Sequence, residues 1–162
     1  MSIFDSVMKE HEENTLRERE EETKKIEDEI RKEGSFIIRF TEATENIARP
    51  ILDKFASDSI DYGYAAEVEV GLDGRGNKLV SLRIIPEAGP IIGNTPDNEC
   101  VYLLKCLAKE QKVEHCSYYE QRRGKKPGSK KSKYGIQSIN EDVIKRELKE
   151  FFKAVLAARK TI

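Results

Sequence analysis

Between Cys100 and Tyr119 the chain reads CVYLLKCLAKEQKVEHCSYY, its densest apolar segment, set between alternating apolar runs upstream and a strongly basic tail. Val113, His115, Cys116, Tyr118 and Tyr119 form a β-branched and aromatic run suited to a pleated sheet, and AKEQK has the length of a hairpin loop. The pattern predicts a β-hairpin. Its strand over 99–107 would put Cys100, Tyr102, Leu104 and Cys106 on one face and Val101, Leu103 and Leu107 on the other. A strand apolar on both faces is usually central or covered twice. A helix competes for these residues, since Val101, Leu104, Leu107 and Ala108 fall at helical spacing after the acceptable start Thr95-Pro96-Asp97. Periodicity alone does not separate the two in so short a run; the adjoining aromatic run favours the strand.

Upstream, Tyr64, Ala66, Val68 and Val70 alternate with Glu67 and Glu69, and Val80, Leu82 and Ile84 alternate with Ser81 and Arg83, so a second hairpin is expected with its apolar side facing helices. Asp73-Gly74-Arg75-Gly76-Asn77 supplies the turn. It is no phosphate loop, because no Gly-Lys-Ser/Thr follows and it leads into a strand. It is no calcium loop either, because Arg75 and Ile84 stand where oxygen ligands would be required. Glu67 and Glu69 opposite Arg83 read as a cross-strand ion pair. In the irregular connection Pro86–Pro96, Ile91 and Ile92 are expected to plug an edge of the core.

Residues 1–33 form a charged arm, helical by intrinsic propensity but barely amphipathic: Ile3, Phe4, Val7 and Met8 give one apolar patch, and only Leu16 follows before Ile26 and Ile30. Leu16, Thr23 and Ile30 have heptad spacing, a weak seam. Such a helix cannot be buried in a small core, and its apolar ends suit docking on another subunit. Gly34 is expected to break it. Phe36, Phe40, Ala43, Ile47, Ile51 and Phe55 then form a stripe on a helix to about Ile60, with Pro50 marking a kink or the first turn of a second helix. At the far end, Asn140 reads as an N-cap for a helix whose apolar face is Ile144, Leu148, Phe151, Phe152 and Val155.

Net charge is −1, from 29 basic and 30 acidic side chains, but residues 1–120 carry −10 and residues 121–162 carry +9. That polarity suits either an anionic partner or self-complementation. The charge concentrates in a basic loop at 121–133 with Arg122, Arg123, Lys125, Lys126, Lys130, Lys131 and Lys133 and no acid. Like charges among Gly, Pro and Ser predict mobility. A loop of this kind can follow a phosphate backbone, and Tyr118, Tyr119 and Tyr134 beside it could stack on unpaired bases. The stricter nucleic-acid signatures fail: Lys133-Tyr134-Gly135-Ile136 matches only a fragment of an RNA-recognition sheet motif.

No catalytic constellation is recognisable. His115 and Cys116 are consecutive strand residues on opposite faces. Cys106 and Cys116 are expected at most to approach across the hairpin, where with His115 they supply no more than three metal ligands and no paired-cysteine knuckle. No cofactor or metal is expected. Three cysteines at uneven spacing fit reduced thiols, and with no membrane-length apolar run and no secretory leader the expected location is cytoplasmic. The expected architecture is α+β: a charged N-terminal helix at 1–33, then a domain at 34–162 in the order α-α-β-β-β-β-α. Its helices pack on a four-stranded antiparallel sheet of two hairpins, with a short fifth strand near 134–138 as an option. Two functions suit it, both non-enzymatic. One is a binding protein for nucleic acid, another polyanion or an acidic protein. The alternative is an interaction adaptor or chaperone that oligomerises or docks partners through the N-terminal helix and a sheet edge.

Overall fold

The α+β architecture is present, on five strands. The computed structural model describes residues 2–160; Met1 of the expected arm and Thr161 and Ile162 of the expected domain lie outside them. Helix α1 (Ile3–Ala43) leads through a π-helical turn, Thr44–Ala48, into α2 (Arg49–Asp61), then β1 (Ala65–Leu72), β2 (Lys78–Ile85), β3 (Cys100–Leu107), β4 (Lys112–Glu120), β5 (Gly128–Tyr134) and α3 (Glu141–Lys160). The sheet is an antiparallel meander in the order β1-β2-β3-β4-β5.

Strand wins over helix at Cys100–Leu107. The register sets Tyr102 opposite Leu82 and Ser117, and Leu104 opposite Val80 and His115. β3 is the central strand. Its inward residues Cys100, Tyr102, Leu104 and Cys106 are buried against α2 and α3, together with Val80, Leu82, Ile84, Leu52, Ile144, Phe151 and Val155. The other face of β3 is only half-buried and has no helix over it. Asp73 holds the β1–β2 turn by accepting from the backbone amides of Arg75 at 2.8 Å and Asn77 at 2.9 Å. Arg83 reaches Glu69 diagonally at 3.5 Å and also the buried Glu99 at 3.5 Å.

Four expectations are corrected. Gly34 does not break the arm: α1 runs through it, since a helical glycine costs only about 0.5–1 kcal/mol against alanine and the buried Phe36 and Phe40 hold the helix beyond it. Pro50 is not among them: of the two expected alternatives, the first turn of a second helix holds, since Pro50 begins α2 where its missing amide is harmless. The basic stretch is not all loop, because Gly128–Tyr134 forms β5, while 136–138 is a 3₁₀ turn rather than a strand. The alternation of Ser129, Lys131 and Lys133 with Lys130, Ser132 and Tyr134 fits a two-faced edge strand, and pairing satisfies the backbone of β4. Ile91 plugs nothing; it is 63 % exposed, and Ile92 is half-buried. Cys106 and Cys116 point to opposite faces, opposite Val113 and Leu103 respectively, so the hairpin does not bring their thiols together.

Candidate functional site

The basic residues do not share one surface. Arg122 makes a bidentate contact to the buried carboxylate of Glu120 at 2.8–3.1 Å, which holds that carboxyl below its usual range, and donates to the last-turn carbonyl of Ala158 in α3. Arg123 lies 3.5 Å from Asp97. Lys130, on the inward face of β5, reaches Glu150 at 3.1 Å and Glu147 at 3.6 Å on α3. Lys133 pairs with Glu110 at 3.0 Å. Lys131 lies on the outward face with its ammonium 5.6 Å from the Tyr118 ring centroid. Lys125 and Lys126 sit in the turn between β4 and β5. The charge concentration is real, but among the described residues at least four of the seven bases already have a carboxylate, so self-complementation accounts for much of it.

The three tyrosines separate likewise. Tyr118 faces outward with Lys131. Tyr119 occupies a bulge between Tyr118 and Glu120 and packs against the core and Gly128. Tyr134, on the edge strand, sets its ring edge-on to the imidazole of His115 at 5.3 Å. They form no shared stacking platform.

A buried polar chain crosses the core beneath β4. The Tyr102 hydroxyl lies 3.3 Å from Nδ1 of His115, Nε2 of His115 lies 2.8 Å from Oγ of Ser138, and Ser138 donates to the carbonyl of Gly135 at 2.8 Å. Ser138 has only one proton to give. Nε2 therefore carries the hydrogen, and Nδ1 accepts from Tyr102. Burial lowers the His115 pKa to about 4 and raises that of Tyr102. Ser138 is thus a donor already engaged, no acid orients the imidazole, and the chain reads as a satisfied core network. Sequence spacing gives no sign of it, since the three residues come from β3, β4 and a turn 36 positions later than Tyr102. Among the described residues, no three His, Cys, Asp or Glu side chains are grouped to hold a metal, and the three cysteines are free and buried.

Two features present unsatisfied apolar surface. The first is the arm. From Ser2 to Lys32 all residues are exposed except Thr15 and Asp28, which are half-buried. Ile3, Phe4, Val7 and Met8 are 87, 71, 58 and 37 % exposed, and Leu16, Ile26 and Ile30 are also exposed. The arm begins cleanly because Ser2 caps it, accepting from the amide of Asp5 at 3.0 Å. The core first binds it where Gln111 donates to the carbonyl of Lys32.

The second is a groove between α2 and α3. One depression, of 380 Å³, is lined by Phe55, Tyr62, Tyr64, Phe152 and Leu156 with Asp58. An adjoining one, of 460 Å³, has Ile51, Phe55, Leu148 and Phe152 as its floor and Lys54, Lys145, Lys149 and Lys153 at its rim. The helices meet there through Phe55 and Phe152, edge to face at 5.1 Å. The amphipathic spacing that marks these residues as core is satisfied on one side only, and the sequence does not say which rows of each stripe stay open.

No protein-family model matches the chain, and no curated protein or solved structure is significantly similar to it. No described helix is long and apolar enough to cross a membrane.

Proposed function

We propose that the protein is a non-enzymatic interaction module, an adaptor or chaperone that assembles through its N-terminal arm. The observation that carries this reading is the apolar tip of α1, standing in solvent on a helix with some thirty residues outside the core. Ordering so exposed a helix brings little stability to the monomer, because helices gain most of theirs from packing an apolar face. A partner surface supplies that packing. Edge strand β1 offers a second docking element: Val70 and Leu72 are exposed on it, whereas β5 carries three lysines of the kind that discourage edge pairing. Three unpaired buried thiols suit a reducing, cytoplasmic setting.

The test is the mass of the full chain and of a chain lacking residues 2–31, measured by light scattering over a concentration series. Assembly of the full chain and its loss in the truncated chain are expected. A full chain that stays monomeric and captures nothing arm-dependent would remove the reading.

A second reading keeps polyanion binding, on the β4–β5 turn together with Lys131 and Tyr118. The side-by-side placement of that cation and ring on the uncovered sheet face supports it, since cationic and aromatic groups together suit an unpaired nucleic-acid strand.

A further inference from the structure

We propose that the occupant of the α2–α3 groove is the N-terminal tip of α1 from a second copy of this chain, Ile3–His11, inserted as an amphipathic helix. The inference rests on the assembly reading above and names its partner.

The chain cannot fill its own groove. α1 is one uninterrupted helix from Ile3 to Ala43, anchored in the core by Phe36 and Phe40. At 1.5 Å per residue, Phe4 stands about 48 Å from Phe36, and no loop allows it to fold back. A straight helix that long carries its tip beyond its own domain.

The two surfaces match in polarity and length. At about 100° per residue, Ile3, Phe4, Val7, Met8 and His11 fall on one face. Glu10 borders that face on the Ile3 side, and Asp5 and Glu12 border it on the Met8 side. An apolar ridge flanked on both sides by carboxylates is the counterpart of an apolar floor with Lys54 on the α2 side and Lys145, Lys149 and Lys153 on the α3 side. Two of these lysines are already engaged, Lys54 with Asp58 at 2.8 Å and Lys145 with Glu141. Lys149 and Lys153 have no acidic partner among the described residues. Asp58 is the one carboxylate at the floor's edge and opposes the trend. The open floor from Ile51 to Tyr62 extends about 16 Å, and the tip from Ile3 to His11 about 12 Å. This is recognition of a helix in a groove, with anchors spaced by three and four residues. Reciprocal insertion about a two-fold axis fills both grooves with both arms and closes the assembly as a dimer.

The experiment uses the full chain and reads the dissociation constant by sedimentation or light scattering, with circular dichroism to confirm that each variant is folded. Phe4→Asp with Val7→Asp should render the protein monomeric. Lys149→Glu with Lys153→Glu should weaken dimerisation at least about tenfold, and adding lysine on the one flank of the tip that faces α3, either Glu10→Lys or Asp5→Lys with Glu12→Lys, should restore most of it, because like-charge juxtaposition is relieved there. Rescue by charge exchange is a readout that misfolding cannot mimic. If the groove variants leave the dimer intact while Leu16→Asp with Ile30→Asp dissolves it, the arms pair with each other: the groove assignment falls and the assembly reading stands. If the wild-type chain is monomeric at about 100 µM, a concentration at which even weak specific pairing is visible, both fall.

Discussion

The imidazole of His115 lies between Tyr102, at 3.3 Å from Nδ1, and Ser138, at 2.8 Å from Nε2, and the ring is only 3 % exposed. Both ring nitrogens are satisfied by the neutral tautomer. Protonation would add a second donor facing the Tyr102 oxygen, in a site with no carboxylate bonded to the ring.

The consequence is a pH dependence of stability with a defined sign. His115 titrates near 4 in the fold, against an ordinary value of 6.5. Between those values the unfolded chain binds a proton that the native chain refuses, so stability rises with pH through that window. The contribution is present above pH 6.5 and is lost as pH falls towards 4, to a total of about 3 kcal/mol. Urea unfolding from pH 7 to pH 4 should show this loss superimposed on that from the depressed carboxyls of Asp73 and Glu120. In His115→Gln, destabilised at pH 7, the slope between pH 6.5 and 5 should flatten. An unchanged slope would place the titration elsewhere.

Two glycines should respond to alanine in opposite directions. Gly34 lies within α1, and a Cβ there meets nothing within 4 Å. Gly34→Ala should therefore raise stability, or the helicity of the arm, by about 0.5–1 kcal/mol. At Gly128 a Cβ would overlap the Tyr119 ring. Gly128→Ala should displace that ring and destabilise by about 1–3 kcal/mol, the range for overpacking a well-filled site. Thermal melts of the two variants decide both signs.

The alternation of Tyr64–Val70 with Val80–Ile84, the aromatic run after Val113 and the stripe of the last helix are each sufficient to place their elements, because the larger apolar side chains recur at the period of the face turned to the helices, even though small residues of the other face, Ser81 and Cys116, are buried as well. Gly34 misleads for the same reason in reverse. Local propensity marks it as a breaker, whereas Phe36 and Phe40, buried farther on, bind the helix to the core. In Gly128–Tyr134, lysines hide an edge strand, since an edge needs only one paired side and can keep charge on both faces. The open groove between α2 and α3 was not legible at all. Ile51, Phe55, Leu148 and Phe152 look alike as core residues, and only the placement of the two helices over the sheet decides which of their rows close.

If nucleic acid binds, Lys126 and Lys131 should carry a measurable share, whereas Arg122, Lys130 and Lys133 are held by carboxylates. Fluorescence polarisation with single-stranded and double-stranded DNA and RNA across a salt series measures this. Lys126→Gln with Lys131→Gln should reduce the slope of log K against log salt by about 0.7–0.9 per charge removed. Tyr118→Ala should weaken single-strand binding by about 1–3 kcal/mol without changing that slope. No binding at low salt would withdraw the polyanion reading and leave the basic turn as an internal counter-charge.

Arg159 ties the end of α3 to the connection between β2 and β3. Its guanidinium donates to Oδ1 and to the backbone carbonyl of Asn98, both at 2.7 Å, and lies 3.7 Å from Glu87. The side chain is only 15 % exposed, and hydrogen bonds of this charged kind contribute about 1.5–3 kcal/mol each. Arg159→Ala should cost about 2–4 kcal/mol, or roughly 5–15 °C in Tm for a chain of this size. Arg159→Lys should recover little, because an ammonium cannot reproduce the fork that spans the side chain and backbone of Asn98. The loss should also be local. Amide exchange should quicken across residues 86–98, which contain no strand and one 3₁₀ turn, before it quickens in β3. Uniform quickening across the sheet would instead show that the clamp supports the global fold, with no separate role in ordering the connection.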